Sequence, residues 1–463
     1  MRNCAESLQT VMACLIPVGV RRPRLRRVRL GVIGFCAVRG LLLLVAPFEG
    51  AGQKKVEKSL SPQASSRVIS DVDTLRPIAD AAKTPATLNI AQPEALVPMF
   101  EHLYRLNARQ DSTPIHILHF GDSHSASDDW TAGLRRLLKE RFGDGGSGFS
   151  LAGRPFQGYR RFDVQGGGSA GWHPEGLRSM TGDGYWGIGG VGISTQVEGQ
   201  SVFIETECDR LEIDYLQQPA GGDLALFDYD QLLQRFSTRG ELGPGFVSYQ
   251  TTPGLHRFTL RTLNSRPVRL FGWVADKETG VTYETLGING AEASIILRWN
   301  ESMLAAYLRR RDPGLIVLAY GTNEGVIGNW SPEKYQTMFS DLIQRFRRAV
   351  PAASILVLGP PDSWSKREGT WRPVPGIDRI ITAQKSACRE SGCGFWDTRE
   401  RMGGLGSMRD WVQAGFAQHD YIHFTPAGYR RLATMLFEDM MQQYELFKKV
   451  RTEISDPIPS HPR

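Results

Sequence analysis

Three short apolar segments constrain the fold of this chain more than any other feature. They are PIHILHF (114–120), GLIVLAY (314–320) and ASILVLG (353–359). Short, nearly continuous apolar segments are typical of strands that are buried on both faces, as in a parallel sheet covered by helices. The first segment is followed by a polar turn and by an amphipathic helix, WTAGLRRLLKERFGDGG, that ends at glycines. The sequence therefore predicts an α/β fold with a flavodoxin-like, doubly wound parallel sheet.

Further helices and one more strand fit this pattern. Helical periodicity is present in PEALVPMFEHLYRLNARQ and in SPEKYQTMFSDLIQRFRRAV, which we expect to be capped by Ser331 with Pro332 at its first position. GFWD (394–397) is predicted to be a short strand, and PAGYRRLATMLFEDMMQQYELFKKV to be the last helix. The α/β domain is thus predicted to be discontinuous, over 91–145 and 285–450, with a tail over 451–463.

Residues 146–284 interrupt the α/β pattern. Glycines and aromatic residues dominate as far as residue 192, and from 193 onward polar and apolar residues alternate in segments such as QSVFIETE and RLEIDYLQ. Alternation with a period of two, broken by Gly, Pro and Asn, indicates antiparallel strands with one face buried. We therefore expect a β-rich, sandwich-like insertion between the two parts of the α/β domain.

The positive charge of the chain is confined to its first fifty residues. Residues 1–50 hold eight arginines and two glutamates, which accounts for the whole formal net charge of +6. The rest of the chain is neutral overall, so the sequence gives no electrostatic sign of nucleic-acid binding.

The N-terminal segment has the pattern of an export signal. The arginine-rich flank is followed by the apolar stretch LGVIGFCAVRGLLLLVAPFEGAGQ, which leads into small residues. Arg39 lies within this stretch, and an uncleaved membrane anchor is the alternative. We expect 1–49 to be a signal peptide or membrane anchor and 50–90 a linker. The expected location is the periplasm or the exterior, with or without a tether to the inner membrane.

Cysteines do not form a disulfide framework in this chain. Beyond the leader only Cys208, Cys388 and Cys393 remain. The close pair Cys388 and Cys393 would form a small disulfide in an oxidising compartment, and buried free thiols are the alternative.

Polar residues with catalytic potential follow or precede the predicted strands in four segments. These are GDSH (121–124), GING (287–290), GTNE (321–324) and the DYIH segment with Asp420 and His423. In open α/β sheets the ligand binds beyond the carboxyl ends of the strands. We therefore expect the four segments to meet at one rim of the sheet.

The residue types in these segments are those that ester cleavage through an acyl-enzyme requires. Ser123 is the candidate nucleophile, His423 its general base, and Asp420 the group that orients the imidazole. The Asn323 amide and the backbone N–H groups of Gly290 and Ser123 are candidate donors to the oxyanion. No cofactor or metal is needed for this chemistry.

This order of motifs resembles the SGNH (GDSL-type) hydrolases, and within them the Gram-negative periplasmic peptidoglycan O-acetylesterases. The segments that carry the resemblance are GDSHSASDDWTAGLRRLLKERFGDGGSGF, GINGAEAS, LAYGTNE and DYIHFTPAGYRR. The resemblance implies a Ser123–His423–Asp420 triad, with Gly290 and Asn323 in the oxyanion hole, and Gly287 is the alternative to Gly290. It also implies that the insertion is similar to a carbohydrate-binding module.

Four further residues are candidates for contacting the substrate. His124 and Glu324 stand where the broad SGNH pattern has Leu and Asp, and both fit the acetylesterase branch. The alternatives are that His124 caps a helix and that Glu324 braces the Asn323 loop. Trp172 and Trp186 belong to a glycine-rich segment whose aromatic rings would either stack on sugar rings or form a local core.

Two histidine pairs are weaker signals for a metal site. His419 and His423 have a spacing that suits zinc on a helix, but Pro426 indicates a loop that enters a helix. His116 and His119 fall on opposite faces of a strand, so they are expected to be packed or hydrogen-bonded.

The sequence therefore supports a serine esterase that removes O-acetyl groups from peptidoglycan or a related cell-envelope glycan. A lipase, lysophospholipase or thioesterase would use the same chemistry on another acyl group, and an acetyltransferase would use the same acyl-enzyme. The alternative from another class is a glycan-binding envelope protein without catalytic activity.

Overall fold

The computed structural model describes residues 89–176 and 182–455, with the side chains of 453–455 excepted. The predicted signal peptide or anchor, nearly all of the predicted linker and residues 456–463 lie outside the described residues. Within the described part, no helix is both long and apolar enough to cross a membrane.

The elements are as follows. The strands are β1 (Ile90–Ala91), β2 (Ile115–Gly121), β3 (Gly146–Leu151), β4 (Gln165–Gly168), β5 (His173–Glu175), β6 (Gly192–Thr195), β7 (Ser201–Gln217), β8 (Asp223–Asp228), β9 (Gln231–Ser237), β10 (Gly243–Thr262), β11 (Val268–Asp276), β12 (Val281–Gly287), β13 (Pro313–Ala319), β14 (Ser354–Leu358), β15 (Trp364–Arg367), β16 (Thr370–Pro373) and β17 (Gly394–Trp396). The α-helices are α1 (Val97–Asn107), α2 (Ser123–Ala126), α3 (Asp129–Phe142), α4 (Glu301–Arg311), α5 (Thr322–Val326), α6 (Pro332–Ala349), α7 (Pro375–Ser391), α8 (Thr398–Met402), α9 (Ser407–Gln413) and α10 (Pro426–Ser455). Two 3₁₀ helices span Pro93–Leu96 and Ala293–Arg298.

The central sheet has the strand order β1-β17-β14-β13-β2-β12. Its strands are parallel except β1, which pairs antiparallel with β17 at the edge. The predicted α/β fold is confirmed, with the correction that the sheet is mixed rather than wholly parallel. The predicted cap of α6 is also present, because the Ser331 side chain accepts a hydrogen bond from the Lys334 N–H and Pro332 is the first helical residue.

Strand β12 corrects the sequence-based assignment. The predicted insertion ends at residue 284, inside this strand, but β12 pairs in parallel with β2 at the edge of the central sheet. All seven residues are buried. Two other boundaries also differ, because β1 begins at Ile90, inside the predicted linker, and α10 extends to Ser455, inside the predicted tail.

Residues between α3 and β12 form a second, antiparallel sheet. Its order is β5-β6-β11-β7-β10-β8-β9, with β3 paired to β11 and β4 to β7. The long strands β7 and β10 form its centre, and their pairing shifts register between Gln250 and Gly254. The likeness of this sheet to a carbohydrate-binding module stays a prediction.

The alternation of side chains along the central strands divides the core into two layers. Leu118 and Phe120 of β2 face the layer that contains α6 and α7, whereas Ile115 and Ile117 face the layer that contains α3 and α10. The first layer also takes in Phe149 of β3 and Phe271 of β11. The antiparallel sheet therefore shares a hydrophobic core with the catalytic half of the molecule.

A buried ionic cluster also joins the two sheets. The Arg311 guanidinium, at the end of α4, donates two hydrogen bonds to the Asp276 carboxylate, with Nη1–Oδ2 at 2.7 Å and Nη2–Oδ1 at 2.8 Å. It also donates from Nε to Glu284 Oε1 at 2.8 Å. Asp276 lies in β11 and Glu284 in β12, and all three side chains are buried. Although burial favours the neutral carboxyl, the nearby guanidinium holds the pKa of Asp276 far below its usual range.

We expect Arg311→Met to lower the free energy of unfolding by about 3–5 kcal/mol, because it leaves Glu284 buried without its cation and Asp276 paired with Arg210 alone. The neighbouring change Arg310→Met removes a partly exposed pair with Glu212 and should cost about 1 kcal/mol or less. Urea unfolding of both variants measures the difference. Equal stability losses would contradict a structural role for the buried cluster.

Candidate active site

Ser123 lies at the start of a single helical turn beyond the end of β2. Asp122 caps this turn, because its Oδ1 accepts a hydrogen bond from the His124 N–H at 2.9 Å. Gly121 is required just before it, since a Cβ there would lie 2.2 Å from Ser125 Oγ and 2.9 Å from the Ala319 carbonyl oxygen. The longer helix α3 starts separately at Asp129, so the N–H groups nearest Ser123 belong to the short turn α2 and not to α3.

The structure brings Ser123, His423 and Asp420 together as the sequence predicts. Ser123 Oγ lies 3.0 Å from His423 Nε2, and His423 Nδ1 lies 2.7 Å from Asp420 Oδ2. The other Asp420 oxygen accepts hydrogen bonds from the backbone N–H groups of Ile422 and His423, both at 2.9 Å. The carboxylate thus fixes both the imidazole and the turn that carries it.

The electrostatics of this chain of hydrogen bonds suit a general base. The hydrogen bond to Asp420 raises the pKa of His423 above its ordinary value, against the opposing effect of burial. Burial alone would raise the pKa of Asp420, but the hydrogen bonds from the His423 side chain and backbone lower it to about 2. Asp420 is therefore ionised at neutral pH, where it stabilises an imidazolium formed at His423.

The turn between Asp420 and His423 packs against the hairpin of β15 and β16, which carries Trp364 and Trp371. Tyr421 has a left-handed backbone conformation, with φ of 59°. Its ring stacks on Trp371 of β16, with centroids 4.6 Å apart and planes at 26°. Its carbonyl oxygen accepts a hydrogen bond from the Trp364 N–H of β15 at 3.0 Å. These contacts offset the cost of a conformation that non-glycine residues rarely adopt.

The predicted oxyanion residues Gly290 and Asn323 line one small cleft together, with a volume of about 260 Å³. Asn323 Nδ2 donates to the Ala291 carbonyl oxygen at 2.9 Å, which ties the two loops to each other. Gly290 has φ of 72°, a conformation that favours glycine. Gly287, the alternative, ends β12 inside the protein, where a Cβ would lie 2.4 Å from the Ala126 nitrogen. The cleft therefore favours Gly290 over Gly287.

Glu324 is not placed to contact substrate. Its side chain is buried, and Oε1 accepts a hydrogen bond from the Ala293 N–H at 2.8 Å. Burial raises the pKa of Glu324 to about 8, so the side chain is mainly neutral at pH 7. This hydrogen bond links the Asn323 loop to the segment that follows Gly290, in agreement with the alternative that Glu324 braces the Asn323 loop.

His124 is also inside the protein and not in the substrate site. Only 2% of it is exposed, and Nδ1 lies 2.9 Å from the Tyr429 hydroxyl. Its ring lies beside that of His423, with centroids 5.3 Å apart. Burial and the neighbouring His423 lower the pKa of His124 to about 3, so it stays neutral. The predicted substrate contact is corrected to a packing contact with the catalytic imidazole.

The two predicted sugar-stacking tryptophans serve the structure of the antiparallel sheet. Trp186 is buried in the shared hydrophobic core, beneath the guanidinium of Arg269, which corrects its predicted role. Trp172 is partly buried, and its indole N–H donates to the Ser201 carbonyl oxygen at 3.0 Å. Trp172 is thus the more exposed of the two.

Sequence reasoning did not single out Asp122. Its carboxyl is buried, and Oδ2 has no hydrogen-bond partner among the described residues. Burial raises the pKa of Asp122 to about 6, although the His124 N–H opposes this shift. When ionised, Asp122 adds to the negative potential that favours a protonated His423. The position of Asp122 between the end of β2 and Ser123 is the feature of the sequence that could have identified it.

The remaining polar candidates do not form a metal site. Within 89–176 and 182–455, no three His, Cys, Asp or Glu side chains are grouped so that they could hold a metal ion. His116 and His119 are hydrogen-bonded within the core, to Thr282 and Tyr283 respectively. Cys388 and Cys393 are buried free thiols, so the disulfide alternative does not hold.

Comparisons with known proteins agree with this geometry. Residues 254–431 match the GDSL-like lipase/acylhydrolase family. A solved peptidoglycan O-acetylesterase is 25% identical to this chain, with a TM-score of 0.64, over 75% of this chain and 96% of that one. The comparison with curated proteins gave no match.

Two solved carbohydrate esterases of family two are more distant. The one from Clostridium thermocellum is 14% identical over 55% of this chain and 95% of that one, with a TM-score of 0.29. The one from Cellvibrio japonicus is 10% identical over 61% and 98%, with a TM-score of 0.27. These TM-scores indicate only a weak likeness of fold.

A serine, a histidine and an aspartate in hydrogen-bonded sequence, at the rim of an α/β sheet, are the arrangement that acyl transfer needs. The family match and the likeness to a solved esterase point to the same chemistry. This chain therefore contains a GDSL-like lipase/acylhydrolase domain with the SGNH hydrolase fold and is a carboxylic-ester hydrolase.

Proposed function

We propose that this protein is a serine esterase that removes O-acetyl groups from peptidoglycan or a related cell-envelope glycan. The observation that carries the proposal is the unbroken chain from Ser123 Oγ through His423 to Asp420, with distances of 3.0 and 2.7 Å. The substrate is inferred from the solved peptidoglycan O-acetylesterase to which the chain is 25% identical.

The geometry supports a two-step reaction. Ser123 Oγ attacks the acetyl carbonyl carbon while its proton passes to His423 Nε2, and Asp420 stabilises the imidazolium that results. The Asn323 amide and the backbone N–H groups of Gly290 and Ser123 are the proposed donors to the oxyanion. The sugar hydroxyl leaves with the proton from His423. A water molecule, activated by the same imidazole, then releases acetate from Ser123.

We propose a short acyl group because the solved protein to which the chain is 25% identical is an O-acetylesterase. The small cleft is lined by the proposed oxyanion residues Gly290 and Asn323. Ile327, which is largely exposed, forms one side of it. We further propose that the protein acts outside the cytoplasm, in the periplasm or beyond, because of the arginine-rich and apolar N-terminal segment.

Ser123→Ala should lower acetate release from O-acetylated peptidoglycan, and from p-nitrophenyl acetate, by about 10⁴- to 10⁶-fold. Without the hydroxyl no acyl-enzyme forms. Ser127→Ala is the matched control, because Ser127 lies in the same segment but its hydroxyl faces the His124 carbonyl oxygen. Undiminished acetate release by Ser123→Ala would show that another group is the nucleophile.

A series of p-nitrophenyl esters should show kcat/KM falling steeply once the acyl chain exceeds a few carbons, because the proposed substrate carries an acetyl group. Activity that rises with chain length would instead identify a lipase or thioesterase. Binding to cell-wall glycan without hydrolysis of any acyl ester would identify a glycan-binding protein. Transfer of acetyl to a glycan acceptor in excess of hydrolysis would identify an acetyltransferase.

The pH profile of kcat/KM should rise as His423 loses its proton, because only the neutral imidazole accepts the proton of Ser123. Since Asp420 raises the pKa of His423, this acid limb should lie above pH 6.5. Asp420→Asn should move the limb to lower pH and reduce the maximum rate by about 10³- to 10⁴-fold. The exposed Asp410→Asn is the control, and an unmoved limb in Asp420→Asn would contradict the assigned role of Asp420.

A further inference from the structure

A cleft of about 970 Å³ lies in the antiparallel sheet, and Ser123 is not among the residues that line it. One wall is the glycine- and aromatic-rich segment 150–166, and another contains Phe203 and Trp273 of the sheet. We call it the sheet cleft. Its lining includes Arg154, Arg160 and Arg161, and within the described residues no Asp or Glu lines it.

Two of the three arginines are available to a ligand. The guanidinium of Arg161 already has partners within the protein, because it donates to the backbone oxygens of Ser147 and Phe149 and pairs with Asp163. Arg154 and Arg160 are exposed. Arg154 donates from Nε to the Gly166 carbonyl oxygen at 3.3 Å, which leaves its two Nη groups for a ligand, and Arg160 is close enough to Asp129 to oppose the rise in pKa that burial gives that carboxyl. A cleft with two such guanidinium groups and no acid is suited to an anion, which arginine binds through paired hydrogen bonds.

The wall of the sheet cleft holds two buried polar atoms that lack partners. Ser150 and Trp273 face each other across the β3–β11 pairing and are 2% and 1% exposed. The Ser150 hydroxyl and the Trp273 indole N–H have no hydrogen-bond partner among the described residues. Both atoms are covered by protein, so the groups of this cleft that a ligand can reach remain the guanidinium groups of Arg154 and Arg160.

The sheet cleft adjoins the catalytic loops through a shared wall. Gly158 lies in its lining, and a Cβ there would be 3.1 Å from Asn289 Nδ2. Asn289 itself lines the small cleft with Gly290. At the other end of the same segment, the Phe162 N–H donates to Asp128 Oδ2 at 2.7 Å. Asp128 lies five residues after Ser123. The cleft wall therefore contacts both the segment that follows Ser123 and the loop that contains Asn289 and Gly290.

We propose that the sheet cleft is a binding subsite for a carboxylate-bearing segment of the same cell-wall polymer whose acetyl ester is cleaved at Ser123. This inference rests on the function proposed above. Arg154 and Arg160 bind the carboxylate, and aromatic rings of the lining, such as Phe156, pack against the sugar. The subsite adds affinity for a charged polymer and takes no part in bond cleavage.

The test is the double change Arg154→Gln and Arg160→Gln. The KM for O-acetylated peptidoglycan, which carries carboxylates, should rise at least about tenfold, because charge-assisted hydrogen bonds to the ligand are lost. The kcat/KM for p-nitrophenyl acetate should not change. The matched control is Arg235→Gln with Arg239→Gln, which removes the same charge from an exposed strand and loop of the same sheet. An unchanged KM for peptidoglycan in the test variant overturns the proposal.

A neutral substrate distinguishes the loss of carboxylate recognition from a general loss of folding or activity. Acetylated cello-oligosaccharides, which have no carboxylate, should be cleaved with the same KM by the wild-type protein and by the double variant. A rise in KM on these as well, or a loss of activity on p-nitrophenyl acetate, overturns the proposal.

Failure of the proposed function gives a different result. In that case the wild-type protein releases no acetate from peptidoglycan. Sedimentation of the inactive Ser123→Ala protein with O-acetylated peptidoglycan then measures binding by itself. Loss of this binding when the Arg154 and Arg160 changes are added supports the subsite, and unchanged binding overturns it.

Discussion

The site depends on the register of three parallel strands. Gly121 of β2 is paired with Gly287 of β12 on one side and with Ala319 of β13 on the other. The three strands therefore end at one level, and the loops that follow them begin side by side. A shift of one residue in any strand would turn its side chains to the opposite face and move its loop. The positions of Ser123, Gly290 and Asn323 relative to one another depend on this register.

Close backbone packing is what fixes the register at this level. The helical turn that carries Ser123 lies directly against the ends of β2 and β12, so that a Cβ at Gly121 or Gly287 would clash with Ser125 or Ala126. Buried polar contacts hold the surrounding layers in place. Asp128 pairs with Arg135 and accepts the Phe162 N–H, and Glu324 accepts the Ala293 N–H. A polar group buried in this way is costly to separate from its partner, which makes the arrangement of loops rigid.

The catalytic base is held by a different part of the protein. Asp420 and His423 belong to the same turn and are hydrogen-bonded to each other. The hairpin of β15 and β16 packs against this turn, with the ring of Trp371 stacked on that of Tyr421. His124 packs on the imidazole from the protein interior and remains neutral, so it adds no positive charge beside the base. The position of His423 therefore depends on contacts within its own turn and with the β15–β16 hairpin, whereas the position of Ser123 depends on the central sheet.

The sequence by itself determined the α/β class, the helix cap at Ser331 and the four segments that converge on the site. Each of these follows from local signals, namely the apolar period, capping residues and polar residues at strand ends. The tertiary structure decided the rest. No local signal marks where the insertion ends, and the place of β12 in the central sheet depends on its pairing with β2. His124, Glu324 and Trp186 look like substrate contacts as residue types. Whether a polar or aromatic side chain faces a ligand or the core depends on packing between segments that are distant in sequence, and here all three are buried.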